Sequence, residues 1–117
     1  MADISRIAAG ALFLTSGTLH FARPELFRQI VPPALPNPAA LVAISGAAEI
    51  AGAVGLWWAP VRRPAALGLI ALLVAVFPAN CYMAFDHARF ASVAPAWMLF
   101  ARLPMQPVLM AWMWSLR

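Results

Sequence analysis

Ser45-Gly46-Ala47-Ala48-Glu49-Ile50-Ala51-Gly52-Ala53-Val54-Gly55-Leu56 sets a carboxylate in the middle of a long apolar run. From Ala39 to Trp58 the run is long enough, at about 1.5 Å per residue, to cross a hydrocarbon layer of roughly 30 Å, and Glu49 falls near its midpoint. An ionisable side chain at that depth costs roughly 2.5 to 3.5 kcal/mol on insertion scales, so it faces protein or water and has a partner. On a helix, Ser45, Gly46, Gly52 and Ala53 lie three or four residues from Glu49 and share its face. Side chains this small let a neighbouring backbone come close. The stretch therefore predicts a membrane helix packed on another, with Glu49 in the contact.

Composition extends this reading to the whole chain. The 117 residues are 64% hydrophobic and 10% charged, against roughly 25% charged in an ordinary soluble domain. Four apolar segments, about 4–21, 39–58, 64–85 and 96–116, are each close to the roughly 20 residues of one crossing. They leave no room for a separate soluble domain, so 1–117 reads as a single all-α membrane domain, an antiparallel four-transmembrane-helix bundle. The net charge of +4 comes from eight arginines at segment ends, with no basic run or aromatic interleaving of the kind that grips nucleic acid. Lipid headgroups are the expected anionic neighbours. The single cysteine, Cys81, excludes an intrachain disulfide and a C-x-x-C redox pair. No metal is expected either, because the two histidines sit on different connections and no His-x-x-x-His or Glu-x-x-His spacing occurs.

Segment one resembles a signal peptide between Arg6 and Leu19, but three further apolar segments follow, so it reads as a retained helix. Gly10, Phe13, Ser16, Gly17 and His20 recur at three or four residues and form a strip that should face protein. The connection from Ala22 to Pro38 holds Pro24, Pro32, Pro33, Pro36 and Pro38. Pro24 suits the start of a short helix and Pro32 its end, which predicts a partly helical lid at the membrane surface. Phe27, Ile30 and Val31 of this lid are expected toward lipid, with Glu25 and Arg28 among headgroups. Trp57-Trp58, Trp112 and Trp114 suit an interface. Segment four carries Arg102, Pro104, Gln106 and Pro107, so its first half is expected to be bent and turned away from lipid. Arg6, Arg62, Arg63 and Arg117 on the side of the chain ends outnumber Arg23, Arg28 and Arg89 on the other, which puts both ends in the cytoplasm.

Antiparallel threading brings His20, Glu49, Asn80 and Arg102 into one half of the membrane. The heights of Glu49 and Arg102 differ by roughly 6 Å at about 1.5 Å per residue, which a guanidinium spans, so an ion pair between them is expected. These four are the candidate ligand-binding residues, with Phe77 and Trp97 as apolar walls of a shared cavity. A structural lock fixing helix register explains the same pair, and Asn80 alone suits interhelical hydrogen bonding.

Gly17-Thr18-Leu19-His20-Phe21-Ala22-Arg23-Pro24, Ile30-Val31-Pro32-Pro33-Ala34-Leu35-Pro36, Ser45 through Gly52, and Val76-Phe77-Pro78-Ala79-Asn80 together resemble the DoxX-like small membrane proteins. The likeness covers the first three segments, about two thirds of the chain; segment four matches only in general character. It implies a four-helix integral bundle in a bacterial cytoplasmic membrane; some relatives are named for a quinone-linked thiosulfate oxidoreductase, others accompany redox enzymes or assist maturation of a partner, and distant relatives bind sterol-like ligands. The redox relatives that rely on paired cysteines differ from this chain, which has none.

Two functional expectations result. One is a non-catalytic accessory or maturation subunit of membrane redox proteins, with no required cofactor and with a membrane protein or a second copy as partner. The other is a binding protein or oxidoreductase subunit that takes a quinone or another hydrophobic small molecule between His20, Glu49, Asn80 and Arg102. No catalytic motif is present, which favours the first. A proton pathway ranks last, since it requires polar groups in both membrane halves.

Overall fold

Residues 2–92 and 94–117 are described by the computed structural model of the chain, and among them the regular structure is helical throughout. Helix α1 spans Ala2–Ala22, α2 Pro24–Arg28, α3 Pro38–Trp57, α4 Arg62–Phe85 and α5 Ala96–Leu116, with one 3-10 turn at Ala59–Val61. α3 and the stretch Ala59–Phe85 are each long and apolar enough to cross a membrane. The polar residues inside α1 (Thr15, Ser16, Thr18, His20) and α5 (Arg102, Gln106) make those two helices less apolar.

Local chemistry accounts for the boundaries. Asn37 adopts φ 51°, the left-handed conformation that asparagine tolerates better than most residues. Its side-chain oxygen accepts the Ala40 N–H at 3.4 Å, and Pro38 occupies the first turn of α3, where its missing N–H leaves no bond unmade. Pro24 opens α2 in the same way. Pro78, Pro104 and Pro107 lie inside α4 and α5 without ending them.

α1 packs on α3, α3 also packs on α4, and α4 packs on α5. The core joins Phe13 of α1, Ala53 and Leu56 of α3, Leu69 and Leu73 of α4, and Met113 and Leu116 of α5. The start of α1 is tied down twice: Trp112 Nε1 donates to Ser5 Oγ at 2.6 Å and Trp57 Nε1 to the Arg6 carbonyl at 3.0 Å. At the other end of the molecule, Met83, Phe90 and Leu99 form a second cluster that takes in Ile30 and Tyr82.

Two expectations about facing directions are corrected. Phe27 and Ile30 turn inward: the Phe27 ring stacks on His20, and Ile30 joins the Met83–Phe90–Leu99 cluster. Half-burying them removes apolar area that the connection would otherwise expose, and Glu25 and Arg28 are exposed. α5 is a continuous helix whose first half looks outward, with Trp97, Met98, Phe100, Pro104 and Met105 exposed and Leu99 and Gln106 turned in. Proline rings are themselves apolar, and the surrounding helical hydrogen bonds hold the chain through them.

Candidate functional site

Two glycines bring α1 and α3 together beside Glu49. A Cβ on Gly17 would lie 2.8 Å from the Gly46 carbonyl oxygen, and one on Gly46 would lie 2.7 Å from His20 Cβ. Both are closer than real Cβ atoms come, so the two backbones pass each other where only glycine fits. His20 follows Gly17, and Glu49 follows Gly46, by three residues, about one helical turn in each case. The carboxylate therefore meets α1 at short range. Ser16 Oγ donates to Glu49 Oε1 at 3.0 Å and reaches Oε2 at 3.3 Å. His20 Nδ1 stands 3.2 Å from Oε2 and 2.7 Å from the Ser16 carbonyl oxygen.

This arrangement fixes the imidazole tautomer. A carbonyl oxygen only accepts, so Nδ1 carries the proton it donates to Ser16, and the carboxylate beside it favours that proton as well. In the neutral ring Nε2 is then an acceptor. It has no hydrogen-bond partner among the described residues, and Arg6 Nε is the one sealed polar side-chain atom without a partner there, so Nε2 keeps access to the surface. Phe27 lies over the ring, with centroids 3.8 Å apart and planes 21° apart. It comes from α2, a five-residue helix with no fully buried residue.

A second polar group links α4 and α5. Asn80 Nδ2 donates to Gln106 Oε1 at 2.7 Å, and Gln106 Nε2 donates to the Leu73 carbonyl, all within the buried contact. That carbonyl lies five residues before Pro78, and its second lone pair is free to take a side-chain donor. A cavity of about 230 Å³ opens beside this group, lined by Val74, Phe77, Gln106, Pro107 and Met110.

A family model described as a domain of unknown function (DUF8561) matches residues 9–117. The chain belongs to the DUF8561 family. The matched span takes in both polar groups, so Ser16, His20, Glu49, Asn80 and Gln106 are all part of the DUF8561 domain. No curated protein and no solved structure matches this DUF8561 chain.

The residues singled out from the sequence are thus divided in the DUF8561 fold. His20 and Glu49 meet, whereas Asn80 pairs with Gln106, and among the described residues no hydrogen bond joins the two groups. The expected Glu49–Arg102 ion pair does not form: Arg102 is exposed, with neither salt bridge nor side-chain hydrogen bond among the described residues. α5 packs on α4, while the face of α3 bearing Glu49 packs on α1. Phe77 lines a cavity, as expected of an apolar wall, but that cavity borders Gln106 and not His20 or Glu49. Trp97 is 71% exposed and walls neither group. Ser16, Phe27 and Gln106 were not among the expected site residues. Ser16 carries a sequence signal, since it shares the inward strip with His20; Gln106 is a polar residue of segment four with no feature marking its partner.

Proposed function

We propose that this DUF8561 protein is an integral membrane bundle of four crossings, akin to the DoxX-like proteins, that binds an apolar ligand bearing a hydroxyl group. A quinol is the type of such a ligand. The carrying observation is the His20 ring: Nδ1–H is anchored on Ser16 and Glu49, Nε2 is left as an acceptor, and an aromatic ring is already stacked on its face. Phe27 occupies the position that a quinol ring would take once α2 moves aside, and the absence of any buried residue in α2 keeps that movement cheap. The ligand hydroxyl would donate to Nε2, while its tail follows the outer apolar surface.

The membrane part of the reading rests on dimensions and on the outer surface. The molecule measures 42 × 27 × 21 Å, and its long axis equals the roughly 40–45 Å of a bilayer with headgroups. Ile4, Ile7, Leu12, Ile44, Val54, Val74 and Val108 stand exposed along all four long helices, a pattern suited to lipid.

The test is calorimetric titration of a short-chain quinol, kept reduced, into the protein in mild detergent. His20→Phe removes the acceptor and should weaken binding at least about tenfold, the value of one hydrogen bond to a well-placed group. Phe27→Ala removes the competing ring and should tighten it. Equal affinity in wild type and His20→Phe would refute the reading.

Arg102 favours a second role, as accessory subunit of a membrane assembly. An exposed guanidinium six residues into α5, without a partner among the described residues, suits a carboxylate on a neighbouring membrane protein. In that role the wild type migrates in a larger complex on a native gel in mild detergent, and Arg102→Glu releases it.

A further inference from the structure

At the end of the molecule opposite His20, the start of α1 and the α3–α4 turn border an open cavity of about 230 Å³ lined by Asp3, Arg6, Ile7, Leu56, Trp57 and Arg62. Two guanidinium groups share it. Asp3 Oδ1 stands 3.3 Å from Arg6 Nη1, but the Asp3 side chain is 91% exposed against 21% for Arg6, so this carboxylate is largely solvated and a weak counter-charge. Arg6 Nε is buried without a partner among the described residues. Arg62 donates from Nε to the Leu56 carbonyl at 2.9 Å, which caps the end of α3 and leaves the outer fork of the guanidinium unengaged among the described residues. One carboxylate and two arginines leave the lining with a net positive charge.

The remaining walls are apolar or held in place. Trp57 gives its N–H to the Arg6 carbonyl, so its ring is a fixed wall, and exposed Ile7 supplies hydrocarbon surface beside the two forks. Trp58, Trp112 and Trp114 mark this end as the level of a membrane interface, where lipid phosphates lie. Planar guanidinium forks match phosphate oxygens in pairs.

We propose that this cavity is a phosphate site that holds the headgroup of an anionic glycerophospholipid, Arg6 and Arg62 gripping the phosphate oxygens while the acyl chains leave along Ile7. The site shares no residue with the His20 group and stands or fails independently of the quinol reading.

The experiment is native mass spectrometry of the full chain in detergent, titrated with phosphatidylglycerol and with phosphatidylcholine. Phosphatidylglycerol should bind with one tight site, weakened about tenfold by Arg62→Gln or Arg6→Gln and unchanged by Arg63→Gln, which removes the adjacent exposed charge outside the cavity. Inorganic phosphate added as competitor distinguishes the sources: retention of the lipid assigns the site to headgroups, and displacement at low concentration assigns it to free phosphate. Because Arg62 also caps α3, a second measurement uses the wild type. A phosphatidylglycerol with a photoreactive group near its headgroup should label Ile7 or Trp57. Equal loss in Arg63→Gln and Arg62→Gln, or labelling spread evenly over the tryptophans of this end, would overturn the proposal.

Discussion

The Glu49 carboxylate is held by a hydroxyl and an imidazole, neither of them a permanent cation. This makes substitution diagnostic. Glu49→Gln keeps an oxygen that accepts from Ser16, so its cost should stay within about 1.5 kcal/mol, the net value of one hydrogen bond. Glu49→Leu leaves the Ser16 hydroxyl short of its acceptor, while the His20 Nδ1–H keeps the Ser16 carbonyl, and should cost about 1–3 kcal/mol. Both are measurable by denaturant unfolding in micelles. A loss of about 3–5 kcal/mol for Gln, the size expected when one member of a buried ion pair is removed, would mean that His20 is an imidazolium. The special status of Glu49 was legible in the sequence, because a carboxylate at the centre of an apolar run with glycines a turn away demands a partner on a closely packed helix. Which partner was not legible. Residue counting gives depth along a helix but no lateral neighbour, so Arg102 matched Glu49 in height while lying on α5, which packs on α4.

Between elements, the glycines divide into contact positions and free ones. At Gly17 an added methyl group meets the Gly46 backbone, which cannot swing aside as a side chain can, whereas at Gly68 nothing lies within 4 Å. Gly17→Ala should therefore push α1 from α3, lengthen the Ser16–Glu49 bond and lower stability by about 1–3 kcal/mol. Gly68→Ala should be neutral or stabilising, since alanine is the better helix former. Spin labels on α1 and α3 read the separation, and an unchanged distance in Gly17→Ala would contradict the close-packing account. For α4 and α5, a double-mutant cycle on Asn80 and Gln106 should return a coupling of about 0.6 kcal/mol, with roughly 1.7 as an upper bound for membrane hydrogen bonds. Element positions were readable from apolar run length and proline placement, and the inward strip of α1, from Gly10 to His20, is buried or half-buried as its spacing demands. The direction of α2 was not readable, because Phe27 and Ile30 suit lipid and protein equally until a stacking partner and an apolar cluster are in place.

At the scale of the molecule, the order of packing makes a prediction about sidedness. With four crossings, the chain ends share a side with the turn at Ala59–Val61 and oppose the connections around Ala34 and Ala91. Were only α3 and α4 to cross, the chain ends would fall on the side of Ala34. Cys81 is the single native thiol, so Cys81→Ser followed by cysteines placed one at a time at Ile4, Pro60, Ala34 and Ala91 reports sidedness directly with an impermeant maleimide. Ile4 and Pro60 should label together, and opposite to the other two. The succession α1–α3–α4–α5 also bears on how the chain is made. Ser16 and His20 leave the ribosome before Glu49, so in a bundle of four crossings the acid would enter the bilayer with its donors already waiting and would at no stage be a solitary charge in lipid. Asn80 is made before Gln106 and must wait for α5, but it is an uncharged amide and tolerates the delay at smaller cost. The order of synthesis thus gives this acid partners made in advance of it.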